Sequence, residues 1–194
     1  MEKVLIKIKP YVTELFTRRN LPFLKYHNLH HTEMVVERAN EIANNDSLSD
    51  RELFCLITAA WFHDTGHLFN ELAEHEKTGT DLMAAFLKSF LIEEGMINQI
   101  SDCIMATKIP SDPKTTIEKI ICDADTYHFG TREFLITDPE VYKEMEARLS
   151  IHIDEKIHKS ISLLESHRFF TAYCQDLLDK GKKGNIDYLR RSIT

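Results

Sequence analysis

Apolar residues along this chain recur mostly at intervals of three and four, the spacing that lays a stripe along one face of a helix. Residues 4–19 carry such a stripe, with Pro10 marking a break or a fresh start. After Leu21-Pro22 a second stripe puts Met34, Val35, Ala39 and Ile42 on one face. His31 falls on the same face, His27 lies one turn earlier, and His30 is rotated away. The Asn44-Asn45-Asp46-Ser47 loop leads to a third helix, for which Ser49 or Asp50 is a suitable N-cap. There Leu53, Leu56, Ile57 and Ala60 share a face that ends in His63 and Asp64, and Gly66 is predicted to stop the helix.

Residues 69–75 are polar and mixed, and read as a loop over the end of that helix. Helical periodicity returns over 76–90 through Leu82, Met83, Phe86 and Leu87, and again over about 97–107 before the Pro110-Ser111-Asp112-Pro113 turn. Thr116 is placed to cap the next helix, whose face is Ile117, Ile120, Ile121, Ala124 and then Asp125. Asp138-Pro139 opens a helix to about 151, and Asp154 opens another that keeps the chain helical to Asp179. Lys180-Gly181-Lys182-Lys183-Gly184 reads as a solvated turn before a short terminal helix. Alternation at Ile6-Lys7-Ile8-Lys9 is too brief for a strand, and there is no repeat or linker. The expectation is an all-α helical bundle in one domain, 1–194.

Composition narrows the function classes. With 43% hydrophobic and 28% charged residues, the 194-residue chain has the make-up of a globular domain able to bury a core. A net charge of −7 argues against a nucleic-acid backbone as partner, and an anionic substrate would need a local positive centre. Four cysteines, at 55, 103, 122 and 174, show no CxxC spacing and read as small core residues rather than a disulfide framework. The charged N-terminus lacks the apolar core of a signal peptide, and the longest apolar run is about half the ~20 residues of a membrane span. No membrane association and a cytoplasmic location are expected.

Two aliphatic stripes therefore finish in buried acids, and one of them in a buried imidazole as well. Burying such groups without partners costs roughly 2–7 kcal/mol each. A divalent cation shared by His31, His63, Asp64 and Asp125 would satisfy all four, and this donor set suits Zn²⁺, Mn²⁺, Fe²⁺ or Mg²⁺. A plain His–Asp hydrogen bond at a helix end is the alternative for the central stretch alone.

The order His…His-Asp…Asp resembles the HD superfamily of metal-dependent phosphohydrolases, on YHNLHHT around His31, HDTGH around His63-Asp64 and CDADTYHFG around Asp125. The resemblance spans roughly residues 20–135, which would form the core, with C-terminal helices over 139–194 packing on it. It implies an HD-domain-like helical bundle with a central metal site (Mn, Zn, Fe, Mg or Ni), where a metal-activated water cleaves a phosphate ester or anhydride. The implied substrate is a small phosphorylated metabolite, a nucleotide first. Asp64 could bridge to a second metal in a dinuclear centre.

Outer residues carry paired readings. His27 resembles the general acid of cyclic nucleotide phosphodiesterases, or is a surface histidine at a helix start. His67 either orients a water in the catalytic centre, ligates a second ion or caps the helix. His75, in His-Glu-Lys-Thr-Gly, matches a position that contacts a second metal or phosphate, or is a loop histidine. Glu74 and Glu76 read first as exposed loop acids. Lys77 and Lys108 are candidate phosphate contacts, more simply solvated lysines. His128 is expected to pack near the site, whereas His152, His158, His167, Arg168, Arg190 and Arg191 have no evident role. A purine-clamping Gln cannot be placed and the Gly-Tyr-Pro signature of cyclic-dinucleotide enzymes is missing. A phosphodiesterase is the alternative activity, followed by a di-iron oxygenase and a non-catalytic scaffold.

Overall fold

The computed structural model describes residues 1–69 and 74–193, so residues 70–73 of the expected loop lie outside the described residues. The described chain is all-α, without a strand. At its centre runs α3 (Asp50–Phe62), packed against α1 (Glu2–Arg19), α2 (Leu29–Ala43), α4 (His75–Lys88), α5 (Glu94–Ala106) and α6 (Thr116–Asp125). Ser49 caps α3 through a capping box with Glu52. Because α3 is enclosed from several sides, Phe54, Cys55 and Leu56 and every residue from Thr58 to Phe62 are buried. The single face expected for it is therefore corrected: Leu53 is 38% exposed and Ile57 only part-buried. All four cysteines are buried and unpaired.

On α1 the seam is Val4, Ile8, Val12 and Phe16, and the helix passes through Pro10 without a break. Pro10 and Ile6, whose carbonyl the proline leaves without an N–H, are both exposed, so the unpaired carbonyl lies on the solvent side of the helix. Thr115, one residue ahead of the expected cap, accepts from Glu118 N–H at the start of α6.

The C-terminal third departs most from the pattern reading. Helix α7 (Phe134–Leu149) starts four residues early, over i→i+3 bonds from Thr131, Arg132 and Glu133, and carries exposed Pro139 inside it. Its burial of Phe134 against Phe129 outweighs the proline's preference for a first turn. After α8 (Lys156–Ser166) the chain leaves the helix at His167–Thr171, where Asp123 accepts from the Phe170 and Thr171 N–H groups and the Thr171 hydroxyl. Next, α9 (Ala172–Arg191) runs straight through the Lys180–Gly184 stretch expected to be a turn. A Cβ at Gly181 would sit 1.8 Å from the Gly130 carbonyl oxygen, so this glycine serves a close helix-to-turn approach. Asn185, buried one turn on, donates to the Phe129 and Thr131 carbonyls and fixes α9 on the Tyr127–Gly130 3₁₀ turn. Buried side chains from α1 through α9 join one hydrophobic core. No helix among the described residues is long and apolar enough to cross a membrane.

Candidate metal centre

Three helix ends meet at one buried point. His31 stands in the first turn of α2, where the Asn28 side chain accepts from the His31 N–H. His63 is the C-cap of α3 and Asp64 follows it, while Asp125 is the last residue of α6. The helix before Gly66 thus ends three residues sooner than expected. Gly66 lies in a 3₁₀ turn (Thr65–Phe69), and its missing side chain admits the His75 carbonyl oxygen, 2.0 Å from where a Cβ would be. Gly79 does the same on α4, where a Cβ would come within 2.6 Å of the Phe62 carbonyl oxygen.

The donor atoms converge. His31 Nε2 lies 3.1 Å from Asp125 Oδ1 and 3.3 Å from Asp64 Oδ2; His63 Nε2 lies 3.2 Å from Asp64 Oδ2 and 3.5 Å from Asp125 Oδ1. Atoms held about 2.1 Å from one cation are separated by about 3.0 Å at right angles and about 3.4 Å at tetrahedral angles. The four nitrogen-to-oxygen distances therefore suit a divalent ion, and the donor atoms of His31, His63 and Asp125 lie close enough together to hold one. His63 Nδ1 donates to the Ala60 carbonyl at 2.9 Å, which turns the Nε2 lone pair inward. His63 Nε2 and Asp64 Oδ2 are buried without a hydrogen-bond partner, as atoms awaiting a cation would be. Burial alone would depress the pKa of both imidazoles, yet the facing carboxylates hold His31 and His63 above the ordinary histidine value. Burial likewise works against ionised Asp64 and Asp125, but the histidines hold both below the usual carboxylate range. A metal ion would replace the protons in this balance.

The chain belongs to the HD-CE family.

The HD-CE model matches residues 12–118, a span that includes His31, His63 and Asp64 and ends just short of Asp125. A solved structure described as a predicted HD superfamily hydrolase, from an uncultured Thermotogales bacterium, aligns with a TM-score of 0.59. It is 21% identical, over 96% of this chain and 90% of its own, a likeness of fold. Comparison with curated proteins gives no match. Fold and His/Asp cluster together place this HD-CE chain within the HD superfamily.

Beside the ligand set lies a second constellation. The His67 ring is sandwiched between His27, at 4.1 Å, and His75, stacked at 3.8 Å. His67 Nε2 and His75 Nε2 each lie 3.8 Å from Asp64 Oδ1. His27 is no surface residue: its Nδ1 donates to Glu144 Oε1 at 2.7 Å, and Glu144 Oε2 accepts from the Tyr26 and His27 backbone N–H groups at 3.0 and 3.1 Å. Burial would raise the Glu144 pKa, but these bonds hold it below the ordinary value. Arg148, one turn along α7, donates from Nη1 to His67 Nδ1 at 2.7 Å and to Glu144 Oε1 at 3.2 Å. Burial, reinforced by His27, pushes the His67 pKa down.

Glu144 and Arg148 went unnoticed in the sequence, where an acid and a base four apart read as a solvated helix pair. Glu76 is buried on α4 rather than exposed in a loop, with Oε1 3.4 Å from His75 Nε2. Glu74 is exposed. His128 packs near the site as expected, its Nδ1 3.1 Å from the Tyr26 hydroxyl, and burial pushes its pKa down to about 3. His167, given no partner by the sequence, lies 3.0 Å from the Thr126 hydroxyl, beside the end of α6. Lys77 faces Asp81, and both it and Lys108 are exposed. A cavity of about 130 Å³ opens onto His31 and Asp125, lined by apolar Met34, Val35 and Ile136 and by Lys25, Arg38, Glu133 and Glu140.

Proposed function

We propose that this chain is a metal-dependent phosphohydrolase acting on a phosphate ester of a small metabolite, a nucleotide first. The observation that carries the reading is the meeting of His31 Nε2 and His63 Nε2 with the facing Asp64 and Asp125 oxygens at 3.1–3.5 Å, where His31 and Asp125 open onto a cavity. His31, His63, Asp64 and Asp125 would hold the ion. When bound, a divalent cation brings the pKa of a coordinated water toward neutrality and offsets charge on phosphoryl oxygens. The protein's own groups do the rest. His27, oriented through Nδ1 by Glu144, keeps Nε2 available to deliver a proton to a leaving oxygen. Met34 and Val35 give the cavity apolar surface, and Lys25 and Arg38 line it beside Glu133 and Glu140.

The His27–Glu144 pair also serves a second reading, a phosphodiesterase, in which the same acid protonates the leaving oxygen of a diester. Elemental analysis of the purified protein, then assay on p-nitrophenyl phosphate and bis-p-nitrophenyl phosphate with added Mn²⁺, separates the two. Metal with monoester turnover supports the first reading, and metal with diester turnover the second. Iron accompanied by oxygen consumption, or no metal and no turnover of either ester, overturns both.

A further inference from the structure

We propose that Arg148 is a positioning residue that fixes His67 as a hydrogen-bond donor to the reaction centre and withholds it from metal binding, so that the centre takes one ion. This deepens, and rests on, the phosphohydrolase reading. A guanidinium has donors and no acceptor. With Arg148 Nη1 at 2.7 Å, His67 Nδ1 must present its lone pair, and the ring proton belongs on Nε2. A ring ready to ligate through Nε2 has the opposite arrangement, with Nδ1 donating to a carbonyl or carboxylate. His63 shows it, through Ala60.

Turning the ring over does not rescue the second-metal role. Such a flip replaces Nδ1 with a C–H in front of Arg148 and discards the 2.7 Å bond, and the ring has His27 and His75 against its two faces. Asp64, His67 and His75 do present atoms close enough together to suggest a metal set, and so do His27, His67 and Glu144. Both sets need His67, and the second also needs Glu144, already engaged by His27 and Arg148.

What remains is a donor. His67 Nε2 is buried, has no hydrogen-bond partner and faces Asp64 Oδ1 across 3.8 Å, while Asp64 turns its other oxygen to the ligand set. An N–H there meets a phosphoryl oxygen, or the attacking water, beside the centre. The fold keeps Arg148 at a cost: its side chain is wholly buried, and its Nε and Nη2 have no partner.

The test reads the ring proton directly. Protein labelled with ¹⁵N-histidine is examined metal-free and zinc-loaded, with the His67 signals assigned by their loss in His67→Gln. The expected result is the Nε2–H form in wild type and in Arg148→Lys, which still only donates. It should be lost in Arg148→Gln, whose carbonyl can accept. Titration should give one equivalent of Mn²⁺ per chain, with the same stoichiometry in His67→Gln. A wild-type His67 protonated at Nδ1 overturns the proposal, as do two equivalents of metal of which His67→Gln loses one. Should Arg148→Gln fail to fold, the wild-type spectrum and the His67→Gln titration still decide. A chain that takes up no metal would sink the phosphohydrolase reading, yet the tautomer in metal-free protein would still support or overturn the role of Arg148.

Discussion

Replacing Glu144 with Gln changes one oxygen to an amide nitrogen and little else in shape, yet every contact at this position is a donor. Oε1 receives His27 Nδ1–H and Arg148 Nη1–H, and Oε2 receives the backbone N–H groups of Tyr26 and His27. Whichever way the amide is turned, its NH₂ faces two donors. Meanwhile the guanidinium of Arg148, 0% exposed against a carboxylate 1% exposed, loses its counter-charge. Breaking a buried pair by removing one partner costs about 3–5 kcal/mol. For a chain of this size about 2–4 °C of melting temperature goes with each kcal/mol, so Glu144→Gln should melt about 6–20 °C lower. The pH dependence follows from the lowered Glu144 pKa: the wild-type advantage is fully present above the ordinary value of 4.5 and fades as acid protonates the folded carboxylate. Calorimetric melts at pH 7 and at successively lower pH should therefore show the gap between the two proteins narrowing. Metal content should hold, since Glu144 is no ligand, while kcat should fall by roughly 10²–10⁴ as His27 loses its orientation. A variant that melts within a degree of wild type at pH 7 and turns over normally would refute both the buried pair and the oriented acid.

Three further outcomes are expected. His63→Ala removes a donor whose place nothing adjacent can fill, so elemental analysis should find the metal gone and turnover with it. His27→Ala should keep the metal and lower kcat by roughly 10²–10⁴, and retention of full turnover would remove it as the acid. Gly181→Ala would place a Cβ 1.8 Å from the Gly130 carbonyl oxygen, a backbone clash costing about 1–3 kcal/mol or more, whereas Gly184→Ala meets nothing within 4 Å. The latter should gain about 0.5–1 kcal/mol from helix propensity, and opposite signs in thermal melts of the two variants would check the seating of α9.

How much of this was legible in the sequence depends on whether a residue announces its own burial. His63, Asp64 and Asp125 do so because each extends an aliphatic stripe, and His31 because it sits one turn before Val35 on a buried face. Periodicity reports which face of a helix is covered, and a polar group on a covered face needs a partner. The same argument pointed to the His/Asp cluster and the all-helical architecture. It misjudged α3, because a helix enclosed from several sides has no free face for a period to mark, leaving Leu53 out in solvent. Gly66 reads as a stop and Gly181 as part of a turn, since a sequence does not distinguish a glycine that turns the chain from one that lets another backbone come close.

Glu144 and Arg148 mark the deeper boundary. Along α7 they look like any exposed i,i+4 pair, and besides the Arg148 side chain only Phe134 and Glu144 of that helix are buried, too few to draw a stripe. Their burial is set by where α7 lies against the His27 segment and the His67 turn, a contact between parts of the chain some eighty to a hundred and twenty residues apart. The ligand positions belong to the helices that carry them, and those helices report them. The groups that decide how the neighbouring histidines hold their protons come from an element whose pattern concerns something else. In this chain the clustered His and Asp positions are thus written locally, while the contacts of His27 and His67 with Glu144 and Arg148 exist only in the assembled bundle, and substitutions on α7 should alter proton handling without touching that cluster.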